Sequence, residues 1–400
     1  MTEQKPRLFM IAGEASGDLL GAALIRGFRE LNGVAPELEG IGGINMAEQG
    51  LASLFPMEEL SVMGIVEVLP RAGHLLRRVR EAADAVVAMK PDALVTIDSP
   101  DFCLRVAARA RRELPDLRVV HYVAPSVWAW RPGRAKKMAK VVDHVLALLP
   151  FEPPYMTAAG MSCDFVGHPI TTVPAAGEEE IRKLRAEFGI APERRVVVVL
   201  PGSRASEITR LAPVFAGVVS DLSREHPDVD VIIPAAPAVA HLLQDYFPPL
   251  ETGGPHILTG EGRTASEVEL RKRAAFETAD LALAASGTVS LELAAAGTPM
   301  VVAYKANALT AMLLRRFLLI DTVTLVNLVS ETKAVPEFLQ EDCVLTKIEP
   351  EVERLLSDPD HAREQIEAAE KVMKLLGRGG ETPGLRAAKS VQAFLERTAG

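Results

Sequence analysis

The sequence contains little cysteine, few aromatic residues and no excess of positive charge. These shortages exclude some classes of protein and of binding partner. Its three cysteines, Cys103, Cys163 and Cys343, lie far apart in 400 residues and lack the spacing of a metal site, as in a reduced cytoplasmic protein. The formal net charge is −9, so we expect no general affinity for nucleic acid.

Long hydrophobic runs are also missing. Apolar stretches such as 312–329 are broken by charged residues, so we expect none of them to cross a bilayer. The first apolar run is short and ends at Gly13, which predicts a first strand and no signal peptide. What remains is a chain that is 48% hydrophobic and long enough for two domains of roughly 150–200 residues.

The order of the patterns predicts an α/β fold made of two Rossmann-like, doubly wound domains. Short apolar runs alternate with helical segments, as in parallel sheets covered by helices. The segment 171–180, with a proline, a glycine and three glutamates, is typical of a linker. We therefore expect a first domain at 1–170 and a second at 181–350. A helical tail at 351–400 is expected to pack back on the first domain.

The stretch 279–299 carries the clearest ligand signal. Leu281 to Ala285 predicts a buried strand, Ser286-Gly287-Thr288 a tight turn, and the residues up to Gly297 a helix. The free amides and positive dipole end of such a helix suit a phosphate, and Glu292, one turn inside, could accept a ribose hydroxyl. An ordinary helix capped by Ser286 or Thr288 is the alternative.

A second turn supports the same chemistry. The strand at 195–200 is followed by Pro201-Gly202-Ser203-Arg204, and an arginine beside a glycine turn at a strand's carboxyl end can clamp a diphosphate. Asp228-Val229-Asp230 resembles a metal motif, but it begins a strand instead of ending one. We interpret it as a solvated turn and expect no metal.

The first domain has two candidate turns of its own. Gly13-Glu14-Ala15-Ser16-Gly17-Asp18 joins a buried strand to a helix, but it matches neither common phosphate-loop motif. Its two acids suit sugar hydroxyls or amides, or they cap the helix. Asp98-Ser99-Pro100-Asp101 follows another buried strand at its carboxyl end, where doubly wound folds place their chemistry.

Two segments are candidates for contact with an amphiphile. Both tryptophans, Trp128 and Trp130, lie in one motif beside Ser126, and a predicted basic helix follows. Residues 60–80 combine apolar side chains with arginines and could lie on an anionic membrane surface. A solvated charged helix in the first case and a half-buried helix in the second are the plain alternatives.

Taken in order, five motifs resemble the lipid-A-disaccharide synthase family, glycosyltransferase family 19, whose members have the GT-B fold with two such domains facing a central cleft. The resemblance covers about residues 8–345. The motifs are Gly13–Asp18, Ile97–Phe102, His121–Trp130, Leu200–Arg204 and Ala285–Thr288.

The resemblance implies an inverting transfer of 2,3-diacylglucosamine from UDP-2,3-diacylglucosamine to 2,3-diacylglucosamine 1-phosphate through a β(1→6) bond. It also implies a Gram-negative bacterial enzyme, peripheral on the cytoplasmic side of the inner membrane, without a cofactor; a homodimer stays open. The expected donor residues are Arg204, Ser286, Gly287, Thr288, Glu292 and, by resemblance, Asn327. The expected acceptor-side residues are Gly13, Glu14, Ser16, Gly17, Asp18, Ser126, Trp128 and Trp130.

Asp98 is the expected general base, because it ends a buried strand of the domain that GT-B enzymes use for the acceptor. Glu14, Asp18 and His121 compete for this role, although a structural role suits His121 better. Two alternative enzymes would have the same fold: a UDP-N-acetylglucosamine 2-epimerase and an undecaprenyl-linked glycosyltransferase. A two-lobed small-molecule binding protein is the rival without chemistry.

Overall fold

The computed structural model describes residues 5–60, 65–250, 254–307 and 319–397, except for the side chains of 65–72. The chain divides into two compact units. The first comprises Met1–Thr172 and Leu376–Gly400, and the second comprises Val173–Leu375.

The first unit is a parallel sheet of six strands in the order β2-β1-β3-β4-β5-β6. Its strands are β1 Arg7–Ala12, β2 Glu37–Ile41, β3 Ala93–Ile97, β4 Val119–Tyr122, β5 His144–Ala147 and β6 Ser162–Phe165. Its helices are α1 Ala15–Asn32, α2 Ile44–Glu48, α3 Ile65–Met89, α4 Pro100–Glu113, α5 Gly133–Met138, α6 Pro153–Thr157 and α15 Pro383–Arg397. The residues of β3 are fully buried, as expected for a strand covered on both faces.

The second unit repeats the plan with the order β12-β11-β10-β7-β8-β9, again all parallel. Its strands are β7 Arg195–Leu200, β8 Val229–Pro234, β9 His256–Leu258, β10 Leu281–Ala285, β11 Met300–Tyr304 and β12 Glu337–Leu339. Its helices are α7 Glu178–Glu187, α8 Ala205–Glu225, α9 Ala240–Tyr246, α10 Ala265–Glu277, α11 Val289–Ala296, α12 Leu325–Ser330, α13 Leu345–Ser357 and α14 Pro359–Leu375.

Each sheet has one topological switch point, where successive connections leave in opposite directions. In the first sheet it lies between β1 and β3, and in the second between β7 and β10. Ligands of doubly wound folds bind outside the carboxyl ends of the strands at such a point. The turns singled out from the sequence follow these four strands.

The predicted tail at 351–400 is divided between the units. Apolar side chains of α13, among them Ile348, Val352 and Leu355, complete the core of the second unit. Only α15 packs on the first unit, where a Cβ atom on Gly384 would lie 2.3 Å from Ala23 O of α1. Such close backbone contact fixes α15 against α1.

Among the helices of the described residues, none combines the length and the apolar character that a membrane span requires.

Candidate functional site

The turns after β1 and β3 pack directly against each other in the first unit. A Cβ atom on Gly13 would lie only 2.2 Å from Ser99 Oγ, so the end of β1 has room for glycine alone. Glu14 follows as the residue before α1, partly buried and with no side-chain cap bond to the helix. The Gly13–Asp18 turn and the Asp98 turn therefore lie side by side at the switch point.

Asp98 is held in an unusual backbone conformation. Its φ is 51°, that of Ser99 is 42°, and that of Val123, at the end of neighbouring β4, is 84°. Left-handed conformations of this kind cost about 1–3 kcal/mol each and cluster at functional sites. The Asp98 amide donates to Tyr122 O at 3.0 Å, which ties the two strand ends together.

The Asp98 carboxylate follows β3 directly at its carboxyl end. It is partly buried, and no hydrogen bond or ion pair joins it to another side chain that the structure describes. The pKa of the Cys103 thiol is raised, mainly by burial and secondly by the negative charge of Asp98. The Asp98 carboxylate therefore lies near Cys103, in the first turn of α4. A general base must reach the proton that it abstracts, so a carboxylate with no described side-chain partner is a candidate for that role.

Asp18 is held by hydrogen bonds from the loop that leads into α2. It is 2% exposed, and its two carboxylate oxygens accept from the amides of Gly43, Asn45 and Met46 and from the Asn45 side chain, at 2.8–3.0 Å. These bonds fix the start of α2. With its oxygens so occupied, Asp18 positions a loop and is a poor base.

His121, another competitor, is a buried structural residue. His121 is 1% exposed, its Nδ1 lies 2.8 Å from Thr96 Oγ1, and burial lowers its pKa to about 4. Of the other residues in the first turn, Ser16 is exposed, whereas Gly17 is buried where α1 crosses β3. Ser16 and Glu14 are thus the members of this turn that have access to a ligand.

Trp128 is fixed by a buried carboxylate that the sequence did not reveal. Its indole Nε1 donates to Glu152 Oε1 at 3.2 Å, and its ring meets Phe151 edge-on at 5.2 Å. Glu152 is 4% exposed and also accepts from the amides of Leu148 and Leu149. Burial raises the pKa of Glu152 to about 7, and this effect is larger than the opposite effect of the three hydrogen bonds.

The rest of the tryptophan motif is a mixed basic and apolar surface. Trp130 is half-buried under the Arg131 guanidinium, 4.3 Å from its ring, and Ser126 is exposed. The predicted basic helix shrinks to α5, because Arg131 has φ 49° and Pro132 follows it. A pocket of about 350 Å³ lies here, lined by Val127, Pro132, Ala135, Lys136, Pro154, Tyr155, Ala158 and Ala159.

The other predicted amphiphile segment, 60–80, belongs in part to α3. Residues 61–64 and the side chains of 65–72 lie outside the described part of the chain. Of the described side chains, Leu76 is 46% exposed. Arg78, in contrast, is bound to Glu59 and Glu81.

A pocket of about 500 Å³ occupies the switch point of the second sheet. The end of β7 and the turn after it supply Leu200, Gly202, Ser203 and Arg204. The end of β10, the turn after it and the start of α11 supply Ala285, Ser286, Gly287, Thr288 and Val289. The amides of Gly287, Thr288 and Val289 donate to no acceptor in the described part of the chain. They can therefore serve an anion at the start of α11.

The turn itself differs from the capped helix considered above. Neither Ser286 nor Thr288 caps α11 with its side chain; instead Ser290 Oγ donates to Gly287 O at 2.9 Å. Arg204 stands at the pocket mouth with its side chain 65% exposed, 3.3 Å from Glu207. An arginine this exposed can turn toward an incoming phosphate.

Lys272 is a pocket residue that sequence reasoning missed. It lies on α10 and forms ion pairs with Glu292 at 2.8 Å and Glu269 at 2.9 Å. Burial alone would lower the pKa of Lys272, but the two carboxylates outweigh it and raise that pKa. Glu292 lines the pocket as predicted, but it is held by a lysine that lies twenty residues earlier in the chain, too far for a local motif.

Asn327 is not among the residues that line this pocket. It is 3% exposed, and its amide exchanges two hydrogen bonds with the backbone of Val335, at 2.8 and 2.9 Å. The structure thus gives it a part in shaping the loop before β12 and does not place it in the lining of this pocket.

The Asp228-Val229-Asp230 segment is not a solvated turn. Asp230 is 5% exposed and binds Arg194 and His256, while Asp228 pairs with Arg195 at 2.9 Å. The two carboxylates are paired with Arg194 and Arg195, at the start of β7. Among the described residues, no group of three or more histidines, cysteines or carboxylates could hold a metal ion.

Solved structures share the fold. A UDP-N-acetylglucosamine 2-epimerase from Neisseria meningitidis bound to UDP-GlcNAc has a TM-score of 0.65 at 12% identity and covers 97% of this chain and 99% of its own. A trehalose-6-phosphate synthase has a TM-score of 0.60 at 11% identity, with 98% and 99% covered. These likenesses confirm the predicted fold of two Rossmann-like domains.

Sequence relatives carry the comparison further. A lipid-A-disaccharide synthase of Ruegeria pomeroyi is 54% identical over 396 residues, which is 98% of this chain and 96% of the relative. One of Rhodospirillum centenum is 46% identical over 389 residues, 97% and 94% of the two chains. The family model described as lipid-A-disaccharide synthetase matches residues 8–382. The chain therefore belongs to the lipid-A-disaccharide synthetase family of glycosyltransferases.

Proposed function

We propose that this chain transfers 2,3-diacylglucosamine from UDP-2,3-diacylglucosamine to the 6-hydroxyl of 2,3-diacylglucosamine 1-phosphate. A β(1→6) bond forms, the bond to UDP breaks, and lipid A disaccharide 1-phosphate and UDP are released. The observation that carries the proposal is the 500 Å³ pocket at the switch point of the second sheet, with an arginine and open amides at its wall. The names of the relatives support this choice of substrates.

In the second unit, we assign the UDP moiety to the pocket. The amides of Gly287 and Thr288 would hold the diphosphate together with Arg204. Glu292, oriented by Lys272, would accept a ribose hydroxyl. These groups stabilise the charge that develops on the departing diphosphate, which is the leaving group of the reaction.

In the first unit, we assign the acceptor to the switch point and the tryptophan motif. Asp98 would take the proton of the attacking hydroxyl as the new bond forms. The pocket beside Lys136 and Tyr155 offers apolar contacts for acylated substrates. We also propose that this basic, apolar surface rests on the cytoplasmic side of the anionic inner membrane.

Direct turnover tests the proposal. The protein is incubated with both acylated substrates, and mass spectrometry follows the disaccharide 1-phosphate and UDP. We expect both products in equal amounts, and neither without the acceptor. Consumption of the UDP-sugar without acceptor, or conversion of UDP-N-acetylglucosamine to its 2-epimer, would overturn the proposal and favour an epimerase.

A further inference from the structure

Glu207, in the first turn of α8, is an acidic residue in the wall of the pocket that we assign to UDP. A carboxylate at this position repels a diphosphate, since like charges in a partly enclosed site interact more strongly than in water. Acidic residues are common in the first turn of a helix, where they are attracted to its positive dipole end. The dipole explains an acid in this turn, but it does not explain which donors the carboxylate binds.

The carboxylate of Glu207 turns back to the loop that follows β7. Its Oε2 accepts from the Ser203 amide at 3.1 Å, and its Oε1 lies 3.3 Å from the Arg204 guanidinium. The side chain of Glu207 is only 17% exposed, although that of Arg204 is 65% exposed. Gly202 has φ 120°, and a Cβ atom on it would lie 2.6 Å from Glu207 Cβ. The loop from Gly202 to Arg204 is therefore folded closely against this one carboxylate.

Both groups that Glu207 accepts from are donors of the kind that bind phosphate. Backbone amides at the start of a helix and guanidinium groups are common phosphate ligands, and Arg204 is the cation that we assign to the diphosphate. Glu207 thus occupies donors that an incoming phosphate could use. An exposed ion pair is weak, so a diphosphate with more charge can take the arginine from the carboxylate.

We propose that Glu207 is a positioning residue that competes with the diphosphate for Arg204 and so lowers the affinity of the pocket for UDP. When the nucleotide binds, Arg204 exchanges the carboxylate for phosphate, while the Ser203 amide keeps Glu207 in place. The inference rests on the proposed function, which assigns UDP to this pocket.

The competition favours release of the product. The terminal phosphate of free UDP has a second ionisation with a pKa of about 6, which is absent when that phosphate is esterified to a sugar. Free UDP therefore carries more negative charge than the sugar nucleotide at neutral pH. The same carboxylate then weakens the binding of the product more than the binding of the donor.

Calorimetry of the intact chain with UDP and with uridine tests the proposal. Glu207→Gln keeps an oxygen for the Ser203 amide but loses the charge that holds Arg204. We expect this variant to bind UDP about fivefold more tightly, the most that an exposed ion pair usually contributes. Uridine, which has no phosphate, should bind as before. The control, Glu225→Gln, removes an exposed, ion-paired carboxylate from the other end of α8 and should leave both affinities unchanged.

A purely structural role of Glu207 predicts the opposite sign. If the carboxylate only anchored the loop, its loss would weaken UDP binding or leave it unchanged, and either result would overturn the proposal. A Glu207→Gln protein that does not fold, as judged by circular dichroism, would overturn it as well. If UDP does not bind even to the unsubstituted protein, the assignment of the pocket fails together with this proposal. UDP binding without a gain in the variant would remove this proposal alone.

A double variant shows whether the gain depends on Arg204. In the Arg204→Ala background, Glu207→Gln should no longer tighten UDP binding, because the competition has lost its object. A gain that persists there would mean general repulsion and would overturn the exchange. Product inhibition gives a second measurement: in Glu207→Gln, the inhibition constant of UDP should fall more than the KM of UDP-2,3-diacylglucosamine. An equal fall of both constants would contradict the preference for releasing the product.

Discussion

The switch points of the two sheets are built in opposite ways, although both arise from the same kind of strand order. In the first unit, Gly13 and Ser99 are packed so closely that no Cβ fits, and the backbone of Asp98 is strained. In the second unit, the turns leave a pocket of about 500 Å³. A tight turn fixes one carboxylate, whereas an open one leaves room for a ligand. The same topology thus gives a fixed carboxylate in one unit and an open pocket in the other.

Removal of the Asp98 carboxylate should have the largest effect on turnover. We expect Asp98→Asn to lower turnover by about 10²–10⁴-fold, the usual contribution of a general base. UDP affinity should stay unchanged, because the proposed UDP pocket lies in the other unit. Asparagine is the right substitution, since it tolerates the left-handed backbone at φ 51° better than alanine. Steady-state kinetics and calorimetry of UDP binding measure both quantities.

Asp101→Asn is the matched control, because Asp101 is exposed in the first turn of α4. It should keep nearly full activity. If Asp98→Asn turns over normally while remaining folded, Asp98 is not the base. Glu14, the partly buried acid of the adjacent turn, would then be the next residue to substitute.

The first unit should also be the more sensitive to acid. Burial lowers the pKa values of His121, His144 and His168 to about 4, from an ordinary value of about 6.5. Their stabilising effect is present above pH 6.5 and is lost as pH falls toward 4, because the unfolded chain takes up these protons first. Glu152, with its pKa raised to about 7 by burial, opposes this trend between pH 7 and 4.5. The net loss near pH 4 is on the order of a few kcal/mol.

Tryptophan fluorescence isolates the first unit in this measurement. Trp128 and Trp130 are the only tryptophans of the chain, and both belong to that unit. At pH 5, urea unfolding followed by fluorescence should move to lower urea than unfolding followed by far-UV circular dichroism, which reports both units. Transitions that stay together from pH 7 to pH 5 would contradict the prediction. Glu152→Gln should enlarge the shift, since it removes the opposing group.

A smaller effect is expected from each cation of the proposed UDP pocket. Charge-assisted hydrogen bonds contribute about 1.5–3 kcal/mol, so Arg204→Ala should weaken UDP binding at least tenfold. Lys272→Met should do the same by releasing Glu292, which it holds at 2.8 Å. Arg182→Ala, an exposed position on α7, is the control. Calorimetric UDP affinities equal to that of the unsubstituted protein would remove these residues from the site.

The switch-point turns could be predicted from the sequence, because each turn directly follows an apolar run that forms a buried strand. The apolar runs ending at Ala12, Ile97, Leu200 and Ala285 are real strands of the two parallel sheets. Glycine and serine turns after such strands are local features. Their placement at one edge of a sheet then follows from parallel pairing alone.

Contacts between side chains that lie far apart in the sequence could not be predicted from local patterns. Asp18 looked like a ligand residue, but its oxygens are taken by a loop more than twenty residues away. Lys272 reaches Glu292 from another helix, and Glu152 reaches Trp128 from beyond β5. Which acid is engaged and which is available depends on such tertiary contacts. That distinction separates Asp98 from Asp18.

The smallest predicted effect concerns the basic surface beside the tryptophan motif. Lys136 is exposed and lines the apolar pocket with Tyr155, which is 45% exposed. A single basic residue near an anionic bilayer contributes about 1 kcal/mol, so Lys136→Gln should lower sedimentation with phosphatidylglycerol vesicles about fivefold. The effect should fade as salt is raised, because screening weakens exposed charges. Lys183→Gln, in the second unit, should bind like the unsubstituted protein. If both variants lose the same affinity, this surface of the first unit has no special part in membrane contact.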